Sequence, residues 1–259
     1  GCVLFTLISA ATIVADAANL VGHRAFYEMR IGQADKNAAV QSVLGRSAFV
    51  LENDCDGWRS AEKYMIEFGN GDGRSNRILS NFESWESNSG DQYSFDIIEK
   101  SSFQVDKEFR GYAEIDADGG EAVFLLDGQN NIALPENTYF PVQHIRAIIN
   151  KAGNGGKILV ASVFTGAEPD DALLTTSTVI GGWKGDKADV DLGDLDSNGF
   201  WPIQIAYFKP SATEVEPEYE IKFWLQPNGV VRQYEINYRD FSIIAALKTI
   251  ETVDKPVCR

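Results

Sequence analysis

Tyr219-Glu220-Ile221-Lys222-Phe223-Trp224-Leu225-Gln226-Pro227-Asn228-Gly229-Val230-Val231-Arg232-Gln233-Tyr234-Glu235-Ile236-Asn237-Tyr238 is the stretch that decides the fold class. Two runs of alternating apolar and polar residues, Tyr219–Leu225 and Val230–Tyr238, flank a Pro-Asn-Gly turn. Successive side chains of a strand leave opposite faces, so a period of two marks a half-buried strand. Asn-Gly between two such runs marks a hairpin. Outward from this hairpin the same period recurs almost everywhere. Phe241–Thr252 follows it, and Lys157–Phe164, Ala172–Ile180 and Trp201–Lys209 precede it. Nearer the N-terminus, Ala25, Tyr27, Met29 and Ile31 alternate with polar residues within Val21–Ile31. Arg46–Asn53, Trp58–Phe68, Arg74–Glu86, Asp91–Lys100, Phe109–Ile115 and Glu121–Leu126 continue the series. Turn chemistry separates them, as at Asn70-Gly71-Asp72-Gly73, Ser89-Gly90-Asp91 and Asp118-Gly119-Gly120. Many short strands joined by tight turns imply an antiparallel meander rather than βαβ units.

One segment breaks the rhythm. Pro141 suits the first turn of a helix and Gly153 suits its end. Ile145, Ile148 and Ile149 fall on one face at helical spacing. One main helix over about residues 141–152 is expected, its apolar stripe on the sheet and Arg146, Asn150 and Lys151 toward water. Laid across the mouth of a curled sheet, it would plug one end and leave the remaining concavity for a ligand. Plain core packing with no residual cavity is the alternative.

The N-terminal run Val3–Ala15 has the length of a signal-peptide apolar region, and Ala15-Asp16-Ala17 reads as its cleavage site. Residues 1–17 are therefore expected to be removed, leaving 18–259 as a single domain; the alternative is a buried terminal element of the fold. Cys2 lies in the removed part, so Cys55 and Cys258 are left to pair, or to remain free core thiols. A bridge between them suits an exported protein in an oxidising compartment. A net charge of −15 argues against nucleic acid as a partner, because phosphate binding needs a basic surface. No later segment is long and apolar enough to cross a bilayer as a helix.

Several stretches together resemble the EipB family of cell-envelope integrity proteins. They are His23–Tyr27, Asp54-Cys55-Asp56-Gly57-Trp58, Phe82–Ser87, Leu134–Pro141 with His144, Trp201-Pro202, Ala206–Phe208, Asn228–Val230, Tyr238–Phe241 and Cys258. The resemblance runs in family order over residues 21–258. It implies a periplasmic protein folded as a long antiparallel sheet curled into a β-spiral or half-open barrel. It also implies a Cys55–Cys258 bridge and a part in maintaining the envelope. It brings no catalytic residues and no cofactor.

The chemical motifs give little. Asp194-Leu195-Asp196-Ser197-Asn198-Gly199 copies the first half of an EF-hand loop, but Pro202 and Ile205 stand where later ligands belong. The stretch 186–198 reads as a solvated acidic loop, with a non-EF cation site built on Asp186, Asp189 and Asp191 as the alternative. Ser60 and Lys63 have the spacing of a β-lactamase nucleophile pair, and Glu83 and Glu86 flank Trp85 as carboxylates flank a glycosidic bond. On a strand both pairs point to opposite faces, so neither is assigned a catalytic role. The two histidines, His23 and His144, are read as structural.

Binding surface remains. A curled sheet has a concave face, and Trp58, Trp85, Trp183, Trp201 and Trp224 are candidates to line it, with core packing as the plain alternative for each. Trp58, Trp85, Trp201 and Trp224 are taken forward as ligand contacts. The reading is a non-enzymatic monomer that binds a hydrophobic or extended ligand, such as a lipid, a lipidated protein or another periplasmic envelope protein. A scaffold or chaperone-like module binding envelope proteins, and a hydrolase of an envelope polymer, are the alternatives.

Overall fold

The computed structural model describes residues 18–126, 131–210 and 216–258; the apolar leader, its cleavage site and Cys2 lie outside the described residues. Fourteen strands are described. β1 (His23–Ala34), β2 (Val40–Asn53), β3 (Gly57–Asn70), β4 (Ser75–Ser87), β5 (Gln92–Ser101), β6 (Lys107–Asp116), β7 (Gly119–Phe124) and β8 (Asn131–Leu134) precede the helix α1 (Pro141–Gly153). β9 (Ile158–Phe164), β10 (Leu173–Ile180), β11 (Trp201–Phe208), β12 (Tyr219–Leu225), β13 (Val231–Asn237) and β14 (Phe241–Thr252) follow it. All belong to one antiparallel sheet in the order β8-β7-β6-β5-β4-β3-β2-β1-β14-β13-β12-β11-β10-β9.

The order explains the shape. The first and last strands pair at the middle of the sheet, with His23 opposite Thr252 and Met29 opposite Ala245. Two meanders leave that pair in opposite directions and curl back until their edges meet. There Tyr139 bridges Val163 in parallel, with Tyr139 N donating to Ser162 O (2.8 Å) and Phe164 N donating to Tyr139 O (3.0 Å). Tyr93, Phe95 and Phe124 from one meander meet Phe164 from the other across this seam, and Phe140 stacks on Tyr93 at 5.1 Å. The result is a nearly closed barrel, the mainly β architecture with one main helix that the sequence leads one to expect.

The structure refines several elements. β8 was not foreseen, and β2 begins at Val40 rather than Arg46 because outward-facing Leu44, 72% exposed, breaks the apolar alternation. The decisive hairpin turns through Pro227, Asn228 and Gly229. Gly229 N donates to Gln226 O (3.0 Å) and Gln226 N donates to Val230 O (2.9 Å). Pro227 presets the first turn residue at a negative φ, Asn228 does not take the positive φ that a two-residue Asn-Gly turn requires, and Gly229 takes the left-handed position at φ 88°. At the helix C-terminus Asn154 is the cap and Gly155, not Gly153, is left-handed at φ 76°.

Candidate functional site

The interior is best followed as rows of neighbouring side chains across β3, β4 and β5, since paired residues of adjacent strands share a face. The rows are Trp58–Glu86–Tyr93, then Ser60–Ser84–Phe95, then Glu62–Phe82–Ile97, then Tyr64–Ser80–Glu99. All three members of the first row are buried, while all of the third and fourth rows are half-buried. The opposite wall repeats this: Leu225 and Phe223 are buried, Ile221 and Tyr219 half-buried. The helix fills one end of the barrel. Toward the other, these two stretches of wall are half-buried, while Tyr27, Met29, Ile66, Ile243 and Ala245 of the same inner face form a second buried cluster.

The helix fills the closed end. Val142, Ile148, Ile149 and Ala152 are buried against Ile180, Ile203, Phe223 and Leu225 of one wall and Leu51 and Trp58 of the other. No side chain at the helix N-cap, Phe140, bonds the free N–H groups of the first turn. Glu86 reaches over from β4 instead, accepting from Val142 N and Gln143 N at 2.8 Å each. Those bonds and the Arg146 guanidinium favour the carboxylate, but burial outweighs them and pushes Glu86 up to about 7. Beside it, burial pushes His144 down to about 4, so its ring is neutral in the fold; Thr176 Oγ1 lies 3.5 Å from its Nε2.

At the open end, apolar and polar groups alternate around the wall. Phe82, Ile97 and Ile221 are interleaved with Glu62, Glu99 and a set of tyrosines. Tyr64 donates to Glu99 (3.2 Å) and Tyr234 to Glu62 (3.4 Å). Tyr207 and Tyr219 stack at 4.6 Å. Glu62 is half-buried by accessible surface, yet deep enough in the lumen that desolvation pushes its carboxyl up against the hydrogen bonds from Ser47 and Tyr234.

Cys55 and Cys258 form a disulfide, 203 residues apart in sequence and 5.7 Å between Cα atoms. Cys55 occupies the tight turn between β2 and β3 at φ 75°, a left-handed position unusual for a non-glycine residue. Asp54 holds that turn: it accepts from Gly57 N (2.9 Å), Trp85 Nε1 (2.9 Å) and Arg59 Nε (3.0 Å). Gly57 lets the Trp85 ring lie over it, since a Cβ there would sit 2.3 Å from Glu86 O and 2.7 Å from the ring. The Asp54–Trp58 motif is thus a device for carrying the bridge.

The tryptophans need correction as a concave lining. Trp58 and Trp201 lie on the inner face but inside the filled end, Trp58 buried and Trp201 packed on the same cluster. Trp85 and Trp224 point to the convex face: Trp85 is held by Asp54, and Trp224 stacks on Phe200 at 4.9 Å. Trp183 is 46% exposed and packs edge-on to Trp201 at 5.1 Å. The four candidates do not converge. The register sets their side, and alternation of two half-apolar faces could not.

The other candidates separate as their spacing implies. Ser60 is buried and bonded to Ser84 (2.7 Å), while Lys63 is exposed on the other face. Glu83 is exposed on the convex face, opposite Glu86. His23 donates to Val21 O (2.8 Å) and has its own neighbour in Phe49. In the acidic loop, Asp196 pairs with Arg232 (2.9 Å), which also donates to Asp186 O (2.7 Å). Gln226 and Asn228 donate to Leu195 O, fastening the loop to the hairpin. Among the described residues no group of metal-ligating side chains gathers. Sequence reading missed Glu86 as the cap. The signal was available: a helix begun by Phe140-Pro141 lacks a capping side chain and must find one elsewhere.

Known proteins share this architecture. A crystal structure from Brucella abortus, titled a beta-barrel-like protein of domain of unknown function DUF1849, superposes with a TM-score of 0.84, covering 91% of this chain and 99% of that one at 24% identity. The cell envelope integrity protein EipB of Brucella abortus (strain 2308) is 26% identical over 248 residues, 94% of this chain and 88% of that protein. The EipB-like family model matches residues 14–254. The chain belongs to the EipB-like family.

Proposed function

We propose that this protein acts outside the cytoplasm in upkeep of the cell envelope, as a non-catalytic binding protein whose half-filled barrel receives an apolar or extended ligand. The observation that carries the reading is the gradient of burial along the inner face. Away from the helix, Phe82, Ile97 and Ile221 stay half-buried on the inner face beside the buried cluster around Met29 and Ile243, which supports an apolar recess there rather than complete filling. The name of the Brucella relative supports the envelope role, and the disulfide supports an oxidising compartment. Among the described residues no helix is long and apolar enough to cross a membrane. The domain spans residues 18–259 in this reading, with 1–17 removed on export.

The test is titration with a fluorescent acyl-chain probe. Saturable one-site binding is expected, weakened about tenfold by Ile97→Trp, which fills the lumen without touching the closed end. Well-folded protein with no saturable binding would contradict it. One observation favours a second reading, binding of envelope proteins on the outside. Ile158 and Val160 of edge strand β9 and Val179 beside them are 60%, 64% and 53% exposed on the convex face. An exposed apolar edge strand is a ready template for a partner. In that case the acyl probe stays unbound, and Val160→Lys removes the association.

A further inference from the structure

At the helix-filled end, a groove of about 880 Å3 runs along the outer flank of α1, bounded by Tyr139, Leu159 of β9 and the segment Ala18–Asn19. It carries Arg146 and Lys151 and no carboxylate, in a chain of net charge −15.

Arg146 is held but not satisfied. Its guanidinium carbon lies 5.4 Å from the centroid of the Trp58 ring, which fixes the plane of the fork. Its buried Nε has no hydrogen-bond partner among the described residues. None of the ion pairs there includes it. The nearest carboxylate, Glu86, already has both oxygens engaged by the first turn of α1. Glu86 acts on this guanidinium through charge alone, without a hydrogen bond, and an oxyanion is the partner that its planar fork fits. Lys151, on the same helix, has its stem laid over Gly156, where a Cβ would come within 2.7 Å of it, so the second cation is also positioned. Asn150 accepts from Ala18 N at its Oδ1 (2.9 Å), so its amide N–H groups are left to the groove. Gln143 gives its amide to Asn88 O (3.0 Å) and keeps its acceptor.

We propose that this groove is a second binding site, for a ligand whose carboxylate or phosphate is gripped by the Arg146 fork with Lys151 as the supporting charge. The amides of Asn150 and Gln143 meet neutral polar groups of the ligand body. The site does not depend on the lumen: the acyl-chain test above reads one, and an anion titration reads the other.

The experiment follows the Arg146 side-chain Nε–Hε resonance during titration with inorganic phosphate and with acetate, alongside cosedimentation with phosphatidylglycerol vesicles and with neutral phosphatidylcholine vesicles. A saturable shift with the free anions is expected, weakened about tenfold in Arg146→Gln and about threefold in Lys151→Gln. Arg146→Lys keeps the charge, loses the fork, and falls between wild type and Arg146→Gln. Lys151→Gln alters only an exposed residue, so the test survives if Arg146→Gln fails to fold. Cosedimentation with the anionic vesicles alone, lost in both Gln variants and without a response to free anions, supports the oxyanion site with a lipid headgroup as its source. An unmoved resonance together with vesicle binding indifferent to both variants overturns the proposal, leaving Arg146 as a cover for Trp58. Binding that persists unchanged in both variants overturns it equally.

Discussion

The two ends of this barrel are built from the same strands yet packed in opposite ways. At one end α1 drives Ile148 and Ile149 between the walls, and Glu86 and the Cys55–Cys258 bridge fasten what surrounds it. At the other, the same strands carry half-buried Phe82, Ile97 and Ile221 among tyrosines and glutamates. The difference teaches that packing is uneven along the strand axis: the helix completes one end, while the other combines a buried cluster around Met29 and Ile243 with half-buried walls, where the proposed ligand would sit.

The largest effect should follow from emptying the closed end. Ile148→Ala removes a fully buried side chain from between the walls and should lower unfolding free energy by about 4 kcal/mol, read by denaturant titration. Equal costs for Ile148→Ala and Ile97→Ala would erase the distinction between the ends. Next comes the bridge. Cys258→Ser opens a loop of 203 residues and should cost about 3 kcal/mol, below the full chain-entropy value because the tail lies at the surface. Titration of two free thiols in the native wild type would contradict it.

The third prediction concerns pH and the two titrating groups at the helix. Glu86 is raised to about 7 in the fold, so its contribution is complete below about 4.5 and is lost as pH rises through 7. His144 is lowered to about 4, so its contribution is complete above about 6.5 and is lost as pH falls through 4. Each swing is about 3 kcal/mol, and they oppose one another across the same window. Glu86→Gln should therefore expose a protein that weakens on acidification from pH 7 to 4.5 more steeply than wild type. An unchanged slope in urea midpoints would remove Glu86 from this role. The smallest effect is expected at the open end, where Ile97→Ala should cost less than about 1 kcal/mol because no close-packed cavity is created.

Much of this was legible beforehand because strand alternation and turn residues are local signals. Tyr219–Leu225 forms the strand its pattern describes, and Pro141 opens the helix where its fixed φ suits the first turn. What escaped is set by partners distant in sequence. β8 is four residues long, too short for a period to register. Trp224 stands between apolar Phe223 and Leu225, and Trp85 between Ser84 and Glu86 out of phase with Phe82, so alternation did not choose the right face; pairing with Pro202 and Arg59 does. Glu86 was read only as one of two glutamates flanking Trp85, and its burial depends on a helix that begins fifty-five residues later.

The division of the barrel is tested most directly by photocrosslinking. An acyl chain carrying a diazirine near its end, bound and irradiated, should attach to peptides containing Phe82, Ile97 or Ile221, on both walls of the open end. Attachment confined to peptides containing Val160 or Val179, on the convex edge, would contradict the account and move the binding surface outside the barrel.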